Sequence, residues 1–199
     1  MNNVTQKQME DHLLISRYGD FQLTDGIRPD IGSVPMQGFK HMMYKDVPCT
    51  LGCISKEFVL EVFYEMLDLM DGEVFVVLES SHDRFTEDGH YDYCRDGIDL
   101  SVLRSILVDY EDLIVDDGQF GIAIFAFTDG NPIEVQLDEH KSLIGYGNCG
   151  DKFDQIFEMY GLVCNEGLQS ISEMDHIHIS SDVFYDKFLE LKNLLGIDE

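Results

Sequence analysis

The feature that most constrains the fold is a pair of strand-like runs, 122–127 (IAIFAF) and 133–137 (IEVQL), joined by Thr128-Asp129-Gly130-Asn131-Pro132. β-Branched and aromatic side chains suit a pleated, half-buried surface, and Asp-Gly supplies the backbone freedom a tight turn needs. The two runs predict a hairpin, and 142–146 predicts a third antiparallel strand beside it. A hairpin alone is marginal in water, so its apolar face needs cover.

Helical periodicity supplies that cover. Val59, Val62, Phe63, Met66 and Met70 follow an N-cap at Ser55, while Leu100, Leu103, Ile106, Leu107 and Tyr110 follow a cap at Asp99. Phe153, Ile156, Phe157 and Tyr160 mark a third helix, and Phe184, Phe188, Leu191 and Leu195 a fourth. Residues 73–79 (EVFVVLE) read as a buried strand, 174–180 as another, and the polar segment 81–97 as a long loop. Helices spaced this unevenly around a meander do not suit regular βαβ winding. The predicted fold class is α+β, a single compact domain with a mostly antiparallel sheet, a central hairpin and flanking helices.

Charge divides the chain. Residues 1–50 hold six acidic and five basic side chains, so the rest carries -25 of the net -26. Three of the four prolines also lie in 1–50, which reads as a short helix followed by an irregular N-terminal arm, or the first layer of the same domain; 51–199 is the acidic α+β body. A net charge of -26 excludes direct binding to nucleic-acid phosphates and to anionic membrane surfaces. No apolar run approaches the roughly 18 residues of a membrane span, and the first ten residues lack a signal peptide's apolar core. Five cysteines, an odd number in a chain large enough to fold without staples, read as reduced thiols and a cytoplasmic setting. The Asn3-Val4-Thr5 glycosylation triplet has no meaning in that setting.

Several motifs have competing readings. Gly145-Tyr146-Gly147-Asn148-Cys149-Gly150 matches G-x-G-x-x-G, with Glu166 at the distance of a ribose-binding acid, but no βαβ unit surrounds it, and a strand-to-helix turn accounts for it as well. Cys149 at that helix start is a candidate for a lowered thiol pKa, against a spectator thiol. Cys49 and Cys53 lack the second pair of a zinc ribbon, and 92–103 lacks the final Glu of a calcium loop. His176 and His178 share one face of a strand, with Ile177 and Ile179 expected to face the core. Two imidazoles on one face are candidate metal ligands, with His82, Asp83, His90 and Asp92 as possible third ligands, against a pair of polar-face histidines with no metal.

Glu57, Glu61, Glu65 and Asp68 form a ridge at i, i+4, i+8 and i+11, opposite the apolar stripe of the first helix and with no Lys or Arg among them. Like charges so placed cost about 0.2–0.5 kcal/mol per pair. They are the candidate partner-binding residues, against an acidity that serves only solubility. The expected function is a cytosolic acidic binding protein that engages a basic partner, as an inhibitor, antitoxin or immunity protein does. The alternative is a small hydrolase or metal-dependent enzyme using the 81–97 loop with His176 and His178. No catalytic residue or cofactor is assigned, and nothing in the sequence sets an oligomeric state.

Overall fold

The computed structural model describes residues 17–18, 21–30, 35–82, 89–128, 130–147 and 149–197. The expected initial helix, the Asn3 triplet, Asp83, Asp129 and Asn148 lie outside the described residues. The strands are β1 (Arg17–Tyr18), β2 (Phe21–Gln22), β3 (Ile27–Pro29), β4 (Gly38–Tyr44), β5 (Val47–Cys53), β6 (Glu73–Ser80), β7 (Tyr91–Asp99), β8 (Phe120–Thr128), β9 (Asn131–Leu137), β10 (Leu143–Gly147) and β11 (His176–His178). The helices are α1 (Val59–Leu67), α2 (Leu100–Leu107), α3 (Glu111–Asp116), α4 (Gly150–Met159) and α5 (Asp182–Leu194).

Seven strands form one antiparallel sheet in the order β4-β5-β10-β9-β8-β6-β7, so the fold is α+β. The expected hairpin is present, with Ile122 opposite Leu137 and Ala126 opposite Ile133. The expected third strand pairs beside it, Leu143 opposite Leu137. β4 and β5 complete the sheet on that side, and β5 runs across residue 50.

One sheet face carries Val76, Leu78, Ile122, Ile124, Val135 and Leu137, all buried beneath the helices. Here α4 comes close enough to require glycine. A Cβ on Gly145 would stand 2.5 Å from the Phe153 ring, and one on Gly52 would stand 2.4 Å from the Phe157 ring. Phe157 also stacks on Phe39 at 5.5 Å between ring centroids. Gly147, at φ +120, has its missing Cβ facing Pro132 O at 2.6 Å. Helix packing and turn geometry therefore account for the first two glycines of the G-x-G-x-x-G pattern.

The opposite face is covered at one end by a second apolar cluster, in which Phe21, Leu23, Ile27, Leu168 and Ile171 pack on Leu51 and Cys53. Lys40 is buried there, donating to Leu168 O at 2.8 Å and pairing with Glu173 at 2.7 Å. Farther along the same face Phe125 contacts both Phe75 and Phe127, and Phe127 is 62% exposed.

Local expectations are corrected in four places. Ser55 is not the cap of α1; the cap position is Phe58, and the buried Ser55 hydroxyl accepts from Gln22 N at 2.9 Å. Of the loop expected over 81–97, residues 83–88 lie outside the described residues, and residues 91–97 are strand instead, because Tyr91–Asp99 is a full edge strand paired with β6. Its outward charges, Asp92 and Asp96, conceal the strand in the sequence and suit an exposed edge. After α2, which Asp99 caps as expected, the chain turns through 108–110 into α3, a helix the apolar pattern did not separate. The strand expected over 174–180 is only His176–His178, and it pairs with β3 rather than the main sheet.

If α4 needs bare backbone beneath it, Gly145→Ala should lower unfolding free energy by about 1–3 kcal/mol, the usual cost of overpacking. Denaturant titration checks this: a lower midpoint at unchanged slope is expected.

Candidate functional site

One end of the main sheet gathers the histidines. The register places Ser80 opposite Phe120, Ile122 opposite Leu137, and Leu137 opposite Leu143, so the segments that enter and leave these strands there are neighbours. Gly118 precedes β8, His140 lies in the β9–β10 turn, and Ser81 and His82 follow β6. β11 closes over this end. Its neighbour Ile179 donates to Gly26 O at 2.7 Å and accepts from Gly118 N at 3.0 Å.

His140, His176 and His178 meet here, with ring centroids 4.8–5.0 Å apart. All three are half-buried. Each Nδ1 has a fixed partner: Met174 O for His176 at 2.7 Å, Gly118 O for His178, and Asp138 Oδ2 for His140 at 3.2 Å. Asp138 is itself fixed, because Oδ1 accepts from Ser142 N at 2.7 Å. Carbonyls and carboxylates only accept, so Nδ1 is the protonated nitrogen of each ring and Nε2 is left bare. The Nε2 atoms of His176 and His178 are 2.9 Å apart, and one nitrogen from each of the three rings lies within 4.8 Å of the others. Burial, aided by the two neighbouring imidazoles, holds His178 below the ordinary histidine range. For His140 burial acts the same way, but its bond to Asp138 and the charge of Glu139 outweigh it and raise the value.

This brings together the two predicted histidines and a third that sequence reasoning did not connect with them. The face is the reverse of the expected one. His176 and His178 point inward, and Ile177, expected in the core, is 61% exposed. Alternation fixes which residues share a face but not which face is covered. His90 instead shares a hydrogen bond with Ser81 Oγ at 3.2 Å and faces Asp92 at 3.5 Å. Ser81 also donates to Glu139 at 2.7 Å, linking the start of the 81–90 segment to the residue beside His140.

Behind this group lies a buried contact between His82 and Asp117. His82 Nε2 sits 2.7 Å from Asp117 Oδ2, outside the angle of a good hydrogen bond, and its ring stacks on Phe188 at 5.4 Å. Burial pushes the Asp117 carboxyl up, but His82 and the Gln119 N–H outweigh it and hold the value below the usual range. Lys141 is buried nearby, donating to Phe120 O at 2.6 Å, and burial brings its pKa down to about 8.

A second polar group lies on the helix-covered face at edge strand β4. His41 bonds Asp154 at 2.9 Å and Glu166 at 3.2 Å, with Cys164 beside it at 3.8 Å. The Asp154 and Glu166 bonds raise the His41 pKa against a small effect of burial. Glu166 is thus a surface ion-pair partner. Cys149 is half-buried, and burial raises its thiol rather than the helix start lowering it. Cys53 is pushed by burial to about 12. All five cysteines are free.

The four ridge residues are all exposed, but the helix is shorter than the spacing implied: Glu61 and Glu65 lie on α1, Glu57 in the turn before its N-cap Phe58, and Asp68 at its C-cap. Asp68 is not without a cation, since Arg104 reaches it from α2 and also lies over the Tyr64 ring. Glu57 accepts from Ser55 Oγ at 2.5 Å. Beside the ridge runs an open cleft of about 390 Å³, lined by Lys56, Glu57, Glu111, Asp112 and Asp116, in which Lys56 is bound by Asp25 at 2.8 Å and Asp116 at 2.6 Å.

Removing the Asp117 carboxylate by Asp117→Ala should cost about 2–4 kcal/mol at neutral pH, since it leaves a buried imidazole without its partner. Because the folded pKa is depressed, the wild-type contribution is complete above about pH 4 and is lost as the pH falls through the folded value. Unfolding curves of both proteins across the acid range should therefore converge. Comparison with family models, curated proteins and solved structures finds no match to the chain.

Proposed function

We propose that this protein binds a basic partner surface through the acidic face of α1, as an inhibitor, antitoxin or immunity protein does. One observation carries the reading: six of the described cations are committed elsewhere. Lys40, Lys141 and Lys192 are buried, while Lys56, Arg104 and Lys187 are held in ion pairs. Glu61 and Glu65 stand exposed with no ion-pair partner among the described residues. Their charge reaches Tyr160 at the end of α4, adding to burial in raising that phenol's pKa. The cleft beside the ridge offers Glu111 to an incoming Lys or Arg, while its Asp112 is already paired with Lys187. A field of one sign over a helix face steers an oppositely charged partner and speeds its association.

A small metal-dependent hydrolase is the second reading. The Ser81–Glu139 bond favours it, because it joins Ser81 to the residue beside His140.

The binding reading is tested on a partner captured from native cytosol, with rates measured for wild type and for the double variant Glu61→Lys, Glu65→Lys. Association should slow by about tenfold or more at low salt, and dissociation should change far less. Near 0.5 M salt, where the Debye length is about 4–5 Å, the two proteins should associate alike. Folding stability should hold or rise by a few tenths of a kcal/mol, about the size of the like-charge repulsion removed. Equal association rates at low salt, or indifference to salt, would leave the ridge as a solvated face.

A further inference from the structure

We propose that His140, His176 and His178 form a site for one divalent first-row transition ion of the zinc class, bound through their three Nε2 atoms. The argument starts from an electrostatic conflict. His176 and His178 both spend their Nδ1 protons on backbone carbonyls, at Met174 and Gly118. Two bare Nε2 lone pairs then face each other across 2.9 Å, which is repulsive unless something positive lies between them. A shared proton or a metal ion satisfies the pair. The third imidazole favours the ion, since a proton bridges two nitrogens and a metal gathers three.

The surroundings match what metal-binding histidines need. Ligating imidazoles donate their other N–H to a carboxylate or carbonyl, which fixes the tautomer and aims the ring. All three histidines do so here, and the carboxylate partner, Asp138, is held by Ser142 N. The spacing also fits. Zn–N bonds of about 2.0–2.1 Å in tetrahedral geometry set nitrogens about 3.3 Å apart. The observed 2.9 Å between two of them, and the 4.8 Å limit for the set, bracket that value. Imidazole donors select zinc, copper, nickel or iron over magnesium and calcium, which require oxygen. Three protein ligands leave a tetrahedral ion one position for water or another small ligand, the arrangement of catalytic zinc rather than of closed structural sites. The site is independent of the α1 ridge and holds whether or not that ridge binds a partner.

Metal-stripped full-length protein is titrated with Zn²⁺ by calorimetry and with Co²⁺ by visible spectroscopy. Wild type should take up one ion per chain, and its Co²⁺ form should show the intense visible bands of a four-coordinate ion. His140→Gln and the double variant His176→Ala, His178→Ala should lose the Co²⁺ signature. Asp138→Asn, which leaves all three ligands in place, should bind about 10–100-fold more weakly. His41→Ala, which disrupts the separate cluster on β4, should bind as wild type does. Circular dichroism confirms that each variant is folded, and Asp138→Asn together with wild type keeps the test decisive if the double variant is not. Absence of stoichiometric zinc in the wild type, unchanged affinity in His140→Gln, or loss of binding in His41→Ala would overturn the assignment.

Discussion

The register of the β8–β9 hairpin is the constraint on which the rest depends. Ile122 opposite Leu137 places one residue set beneath the helices, and a slip by one residue would turn that whole set to the other face. The same register aligns the ends of β6, β8, β9 and β10, which brings the β9–β10 turn against the segment leading into β8. His140 belongs to the first of these and Gly118 to the second. Thus the pairing that builds the core also delivers a histidine and the carbonyl that orients another to one point. β11 supplies the remaining two imidazoles by pairing with β3, with His176 opposite Pro29 and His178 opposite Ile27.

Scarcity of positive charge shapes the other half of the molecule. With 13 basic against 39 acidic side chains, cations cannot pair one to one with the carboxylates. Lys40 bonds the Leu168 carbonyl under the second apolar cluster, and Lys141 reaches the Phe120 carbonyl beside the histidines. These lysines serve packing, and on α1 Glu61 and Glu65 stand exposed with no ion pair among the described residues.

Much of this architecture was legible in the sequence, for identifiable reasons. The hairpin, the strand after it and the apolar stripes of α1, α2, α4 and α5 all bury large side chains at regular spacing, and regular burial is what periodicity detects. β4 (GFKHMMY) and β5 (VPCTLGC) were hidden because glycine, proline and lysine interrupt them, while β7 was hidden because an edge strand has little apolar face to show. Period-two alternation paired His176 with His178 correctly but could not tell that Ile177 would face solvent. His140 carried no local signal at all, since its proximity arises from strand pairing over long range. The exposure of Glu61 and Glu65 on one helix face followed from their i, i+4 spacing, whereas Arg104 beside Asp68 did not, because it arrives from a neighbouring helix.

The central structural claim is that three imidazoles are held in one tautomer with their bare nitrogens converging. The most direct measurement is a long-range ¹H–¹⁵N correlation spectrum of the metal-free protein above the histidine titration range. The account predicts Nδ1-protonated rings for His140, His176 and His178, with unprotonated Nε2 signals in each. An Nε2-protonated tautomer at His176 or His178 would contradict it, because that ring would then have a donor where the convergence requires a lone pair.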